Sequence, residues 1–283
     1  MQARGTWWLV GAVIAVWIVA SGPGLPHGGS SAGSQPRASD RHVVPNRVMT
    51  WNICNPCKSG DFDLAAEIAE SAPQVIGLQE SCTGQVERIR DALKNRYGLD
   101  YHVAYGTVLH SWGRCGGAPW KPGGYGEAIL SAAPMTDAVA VEYPDGGSED
   151  RGYMAVTTTV GGRHVRVFNT HLAERRQEPV RAKQVDVLAK VVARHDPAIV
   201  LGDFNAVPYA SELHAMWPLV KDSDPGCRPS STDGCEPTTD WHSKFDYVFL
   251  RGVEARDHRV RPSAHSDHHM LYADLRPVGA GVS

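Results

Sequence analysis

Apolar and polar positions alternate along this chain in two rhythms, one near 3.6 residues and one near 2. The stretch 46–53 (NRVMTWNI) predicts a strand, and 62–72 (FDLAAEIAESA) repeats apolar residues at helical spacing through Leu64, Ile68 and Ala72. PQVIGLQE (73–80) predicts a buried strand that ends on a carboxylate. In 84–98, Val86, Ile89, Leu93 and Tyr97 form one helical stripe, and Gly98 suits a left-handed C-cap. GEAILS, RGYMAVTTTV and RHVRVFNTHL predict three strands, the last two joined as a hairpin through VGGR. EPVRAKQVDVLAKVVARHD predicts the longest helix, with Val180, Val187, Leu188 and Val191 facing inward. AIVLGD, KFDYVFLRG and HHMLYADL supply further strands. Strands outnumber helices and several are hairpin-linked. The expected class is therefore α/β (α+β), a pair of mixed sheets flanked by helices rather than a doubly wound parallel sheet.

The first 42 residues differ in kind. After Arg4 an unbroken apolar run extends from Trp7 to Ala20, the length of a secretory core and short for a membrane span of roughly 20 residues. Residues 1–22 are read as an export signal or an N-terminal membrane anchor. Residues 23–42, rich in Gly, Ser, Pro and Ala, are read as a flexible linker. The texture is then uniform, without a long repeat, so 43–279 is read as one domain, expected to be monomeric. The composition is ordinary (42% hydrophobic, 21% charged), and a net charge of -3 provides no overall basic field to draw in a polyanion.

Six cysteines in an exported chain read as disulfides. Cys227 and Cys235 bracket a short polar loop and form the expected pair. Cys54, Cys57, Cys82 and Cys115 leave three pairings open. Cys54-x-x-Cys57 lacks the βαβ context of a thioredoxin motif, and no second ligand pair follows it at zinc spacing.

Strand after strand ends on a polar group: Asn52, Glu80, His171, Asp203 with Asn205, Asp246, and Asp267 with His268. Burying one such group without partners costs on the order of 1–3 kcal/mol. A run of them is better explained by strand ends gathered at one edge around a site.

The segments TWNI, VIGLQE, YGEAILS, RGYMAV, FNTHL, LGDFNAVP, FDYVFLRG and SDHHML resemble, in that order, the signature segments of the endonuclease/exonuclease/phosphatase superfamily, across roughly 46–275. The resemblance implies a four-layer sandwich, two central mixed sheets packed face to face with helices outside, and hydrolysis of phosphate esters assisted by a divalent metal. Mg²⁺ is the expected ion, with Mn²⁺ or Ca²⁺ able to use the same hard oxygens. It implies Glu80 as principal metal ligand, with Asn52 and Asp267 completing or supporting the site. Asp203 and Asn205 would hold the attacking water and a phosphoryl oxygen. Asp246 would orient the catalytic His268, and His171 and Arg151 would bind the phosphate. Glu127 stands where relatives usually carry Asn or another neutral residue, and two cysteines follow Asn52 where many relatives have polar loop residues. His242, His265 and His269 are read as structural, as are Arg181 and Gln184 of an RxxQ helix opening.

The substrate is less determined. The loop 110–126 carries Trp112, Trp120 and Tyr125 beside Arg114 and Lys121, a mixture that can stack bases and bind backbone phosphate. Two Trp on a Gly/Pro loop also suit a lipid interface. Arg175, Arg176 and Arg181 follow His171. No extended apolar hairpin is evident, so a secreted nuclease acting on DNA or RNA is the first expectation. A phospholipid phosphodiesterase or phosphoinositide phosphatase is the alternative. A non-catalytic binding module comes last, because no expected polar residue is missing.

Overall fold

The computed structural model describes residues 41–54, 61–174 and 176–276. The expected export segment 1–22, most of the linker 23–42, Cys57 and Arg175 lie outside the described residues.

In chain order the elements are β1 (Val44–Asn52), α1 (Asp61–Ser71), β2 (Pro73–Cys82), α2 (Thr83–Tyr97), β3 (His102–His110), α3 (Trp112–Cys115), β4 (Gly117–Ala118), β5 (Lys121–Pro122), β6 (Gly124–Ser131) and β7 (Thr136–Glu142). There follow β8 (Gly152–Val160), β9 (Arg163–His171), α4 (Glu178–Val192), β10 (Ala198–Asp203), a 3₁₀ turn (Ser211–Ala215), β11 (Lys221–Asp222), β12 (Asp246–Arg251), β13 (Ala255–Arg261) and β14 (Met270–Leu275). One six-stranded sheet runs β13-β14-β1-β2-β6-β3, and a second runs β11-β12-β10-β9-β8-β7. Both are mixed: β1 and β2 pair in parallel in the first, β9 and β10 in the second, and the other neighbours are antiparallel.

Burial resolves the layers. Val48, Val75, Ile129, Val156, Val167, Leu201, Val248 and Leu271 form one cluster between the sheets. Alternate residues of the first sheet, Met49, Trp51, Ile76, Leu78 and Leu130, pack with Leu64, Ile68, Val86, Ile89 and Leu93 of α1 and α2. Phe168, Val200, Tyr247 and Phe249 of the second sheet pack with Val185, Leu188 and Val192 of α4. Period-2 alternation in the central strands thus feeds two apolar layers at once, and the sandwich is the expected one.

Two features differ from the sequence expectation. Strands β3, β7 and β13 are additional; all three lie at sheet edges, and every residue of β7 is exposed, so no alternation marks it. The inward face of α4 is rotated from the predicted stripe: Arg181, Gln184, Val185, Leu188, Ala189 and Val192 are buried, while Val180, Val187 and Val191 are half-buried. The cause is polar. Arg181 donates to the carbonyls of Ala173 and Glu174 and pairs with Glu212, and Gln184 accepts from Ala173 N and donates to Asp145 O. These bonds tie the chain leaving β9 to α4. The cysteines agree with expectation: Cys227 pairs with Cys235, Cys82 with Cys115 is among the pairings left open, and Cys54 is also disulfide-bonded.

Candidate active site

Asn52, Glu80, His171 and Asp203 stand at the C-terminal ends of β1, β2, β9 and β10, with Asp246 at the start of antiparallel β12. Asp203 and Asp246 face each other across one ladder rung, and His171 is the parallel neighbour of Asp203. Two backbone devices aim the side chains. Glu80 has φ 53° at a register shift between Leu78 and Ser81, a β-bulge opposite Glu127 that turns its side chain out of the ladder. Asn205 has φ 50°, a conformation Asn tolerates better than most residues.

The bulge leaves polar backbone to satisfy, and a residue that the sequence reading passed over does so. Asn169 of β9 reaches across the sandwich and donates from Nδ2 to the carbonyls of Leu78 and Ala128, each at 2.9 Å. Its Oδ1 accepts from Gln79 Nε2 at 2.6 Å. Gly77 allows this approach, since a Cβ there would lie 2.8 Å from Asn169 Oδ1. The available signal was a buried amide inside the strand FNTHL.

Around Asp203 the side chains converge. Asp203 is buried; Oδ1 accepts from Asn205 N at 2.8 Å and Oδ2 from Asn52 Nδ2 at 3.1 Å. His171 Nε2 and His268 Nε2 lie 3.5 and 3.6 Å from the same Oδ2. Asn52 Nδ2 also donates to Glu80 Oε1 at 3.0 Å, while its Oδ1 is taken by Cys54 N. Asn52 therefore bridges two carboxylates through its nitrogen and directs its oxygen at the backbone. His268 Nδ1 donates to Asp246 Oδ2 at 2.9 Å, and that oxygen also accepts from Thr238 Oγ1 at 2.6 Å. Trp241 packs edge-on against the His268 ring with centroids 5.4 Å apart.

Electrostatics separates the two imidazoles. Burial, then the positive charges of Arg151 and His268, hold His171 well below the ordinary histidine value, so it is neutral. Burial also opposes charge on His268, but the flanking Asp246 and Asp203 outweigh it and raise the ring to about 10. Burial pushes Asp203 up to about 7, with His268 as the main opposing influence. Arg151 is almost wholly buried, and its Nη1 contacts Glu149 and His171 Nδ1, the latter at 3.2 Å. An arginine can only donate, so Nδ1 accepts and the proton of the neutral ring sits on Nε2, toward Asp203 and Glu80; Asn205 Nδ2, 3.2 Å from Nε2, is a donor as well and is directed at Leu172 O.

Eight of the nine predicted residues are thus linked by these contacts. The ninth, Asp267, is half-buried beside His268 and contributes to its charge balance, but its carboxylate makes no hydrogen bond among the described residues. A groove of about 680 Å³ lined by Glu174, Arg176, Asn205, Trp241, Ser243 and Phe245 opens beside Asn205. Asp203, Asp246 and His268 bring ligand atoms within 4.8 Å of one another. Glu80 adds a carboxylate that is about a quarter exposed. The carboxylates among these are hard donors that suit a divalent cation, whereas His268, held protonated, has no lone pair to offer one.

A sandwich with this cluster at one edge defines a class of phosphate-ester hydrolase. The chain belongs to the Endonuclease/Exonuclease/phosphatase family, whose sequence profile matches residues 49–268. A UPF0294 protein of Yersinia pseudotuberculosis is 24% identical over 233 residues, 82% of this chain and 84% of that protein. Among solved structures, an endonuclease/exonuclease/phosphatase from Beutenbergia cavernae superposes with TM-score 0.67 at 23% identity, covering 84% of this chain and 72% of its own. TDP2 of D. rerio, solved with a single-strand DNA product, gives 0.64 at 18%, covering 81% and 98%. The mannosyl-6-phosphatase Bt3783 of Bacteroides thetaiotaomicron gives 0.61 at 17%, covering 81% and 99%. At these identities the solved structures share the fold.

Proposed function

We propose that the chain is an exported, divalent-metal-dependent phosphodiesterase that cleaves nucleic acid. The observation that carries this reading is the convergence on Asp203 of a cationic and a neutral imidazole, with Glu80 beside them and the exposed Trp241 against His268. Trp241 stands against His268 and is partly exposed, and Trp112 and Trp120, the latter 87% exposed, rise on the loop tethered by Cys82–Cys115. Aromatic faces beside a phosphate site suit unpaired bases. TDP2, solved with a DNA product, has the same fold. The disulfides and the apolar N-terminal run support an extracellular location or attachment to the outer membrane face.

In this reading Glu80 and Asp267 hold the ion, Mg²⁺ first and Mn²⁺ or Ca²⁺ as substitutes, and Asn52 positions Glu80 by its amide nitrogen. When bound, the ion offsets charge on the phosphoryl oxygens and stabilises the leaving oxygen. Asp203, pushed up to about 7 by burial, takes the proton of the attacking water in its ionised form, and Asn205 orients that water. His268, kept cationic by Asp246, and the Nε2–H of His171 donate to the phosphoryl oxygens, which gain charge as the water adds. Arg151 is held by Glu149 and His171, so in this reading it serves the phosphate through His171 rather than by direct contact.

Purified protein is expected to nick plasmid DNA or cut RNA with Mg²⁺ or Mn²⁺ and to lose that activity in EDTA. Glu80→Ala and His268→Ala are each expected to lower the rate by about 10²–10⁴ while the circular dichroism spectrum is retained. A phospholipid phosphodiesterase is the second reading, favoured by the exposure of Trp112 and Trp120. Intact DNA and RNA alongside cleaved sphingomyelin or phosphoinositide would establish it instead, and cleavage of a sugar monophosphate alone would point to a phosphatase.

A further inference from the structure

Arg114, Glu149 and Arg151 form a bridge that reaches from His171 to the helix Trp112–Cys115. Glu149 Oε1 pairs with Arg114 Nη1 and Glu149 Oε2 with Arg151 Nη1, so one carboxylate spans two guanidinium groups. The inner arginine touches His171 Nδ1 at 3.2 Å. The outer one belongs to the short helix Trp112–Cys115, lies 4.3 Å over the Tyr125 ring, and adjoins Cys115 of the disulfide to Cys82. Cys82 itself lies two residues beyond Glu80.

Arg151 has little else to hold it. Among the described residues its Nε has no hydrogen-bond partner, and neither has Oε2 of Glu127, a carboxyl that burial pushes up to about 8. The orientation of its guanidinium therefore depends on the Glu149 side of the group. Each oxygen of Glu149 is committed to one arginine, and a charged acceptor holds a guanidinium nitrogen more firmly than a neutral one does.

We propose that Glu149 is a positioning residue: it fixes Arg151 so that His171 keeps its proton on Nε2 toward the cleft, and it couples that setting to the disulfide-anchored loop bearing Trp112 and Trp120. The benefit to turnover rests on the phosphoesterase reading above, but the imidazole tautomer can be read without substrate.

The test is Glu149→Gln, with Glu149→Asp as a second variant that keeps the charge and is too short to span both arginines. The ¹⁵N shifts of the His171 ring, assigned by difference against His171→Gln, report which nitrogen carries the proton. In the unaltered protein Nε2 is expected to be protonated and Nδ1 bare. In both variants the two shifts are expected to move toward each other as the tautomers mix. Where the protein cleaves a phosphodiester, kcat should fall about tenfold or more with KM within about twofold. Unchanged ¹⁵N shifts in a folded variant overturn the proposal whether or not any substrate is cleaved. Altered shifts without nuclease activity would uphold it and reject the nuclease reading alone. If Glu149→Gln does not fold, the Asp variant decides by the same spectra.

Discussion

Asp203 keeps a buried carboxylate at the end of its strand, and the histidine beside it holds the compensating charge. Both groups have folded pKa values above their ordinary ones, near 7 against 3.8 for Asp203 and near 10 against 6.5 for His268. Burial raises the first, while Asp246 and Asp203 raise the second against the effect of burial. The folded protein therefore binds more protons than the unfolded chain across this range, and stability falls as pH rises. The Asp203 contribution is full below 3.8 and lost through about 7; that of His268 is full below 6.5 and lost through about 10. In EDTA, calorimetry between pH 6.5 and 10 should show a falling Tm, and Asp246→Asn should flatten the slope. A Tm that rises with pH would contradict the assignment. Asp203→Asn should be inactive yet at least as stable at pH 8, the trade expected where a site holds a buried charge for chemistry.

Among the elements, the bulged end of β2 depends most on a distant partner. Glu80 leaves its ladder, and Asn169 of the opposite sheet supplies the two hydrogen bonds to the carbonyls of Leu78 and Ala128. Asn169→Ala would leave two buried acceptors and Gln79 Nε2 short of a partner, a cost of about 1–3 kcal/mol for each group left unsatisfied. The expected result is a lowered denaturation midpoint together with slower cleavage, because Glu80 loses its support. Asn169→Leu, similar in bulk and without donors, should behave alike. Full activity in either variant would show that the bulge holds itself. The turn Gly161–Gly162, with φ 59° and 79°, plays a simpler part by joining β8 to β9 in the register that puts Gly152 opposite His171.

At the scale of the molecule, legibility followed burial. Central strands such as Ala198–Asp203 were read to the residue, because both faces are covered and the apolar run is continuous. The edge strands β3, β7 and β13 were not: β7 and β13, with little to cover, carry charges and small residues like those of a loop, and the apolar residues of half-buried β3 mark no single face. Site residues were legible as interruptions, polar groups closing apolar runs. Roles were less so: Asn52 and Arg151 could be placed by sequence, but only the coordinates show that Asn52 offers its nitrogen and that Arg151 is held on His171. Glu149 and Asn169 escaped notice, one in a polar loop and the other within a strand, because their partners are remote in the chain.

The cluster draws Asn52 and Glu80 from one sheet and His171, Asp203 and Asp246 from the other. Neither half carries a working set alone. Turnover thus reports the last event of assembly, the closing of one β layer on the other. In a refolding experiment, cleavage should return with the slowest-protected amides of the inter-sheet layer and lag behind helix formation, so the enzyme would serve as its own clock for the completion of its interior.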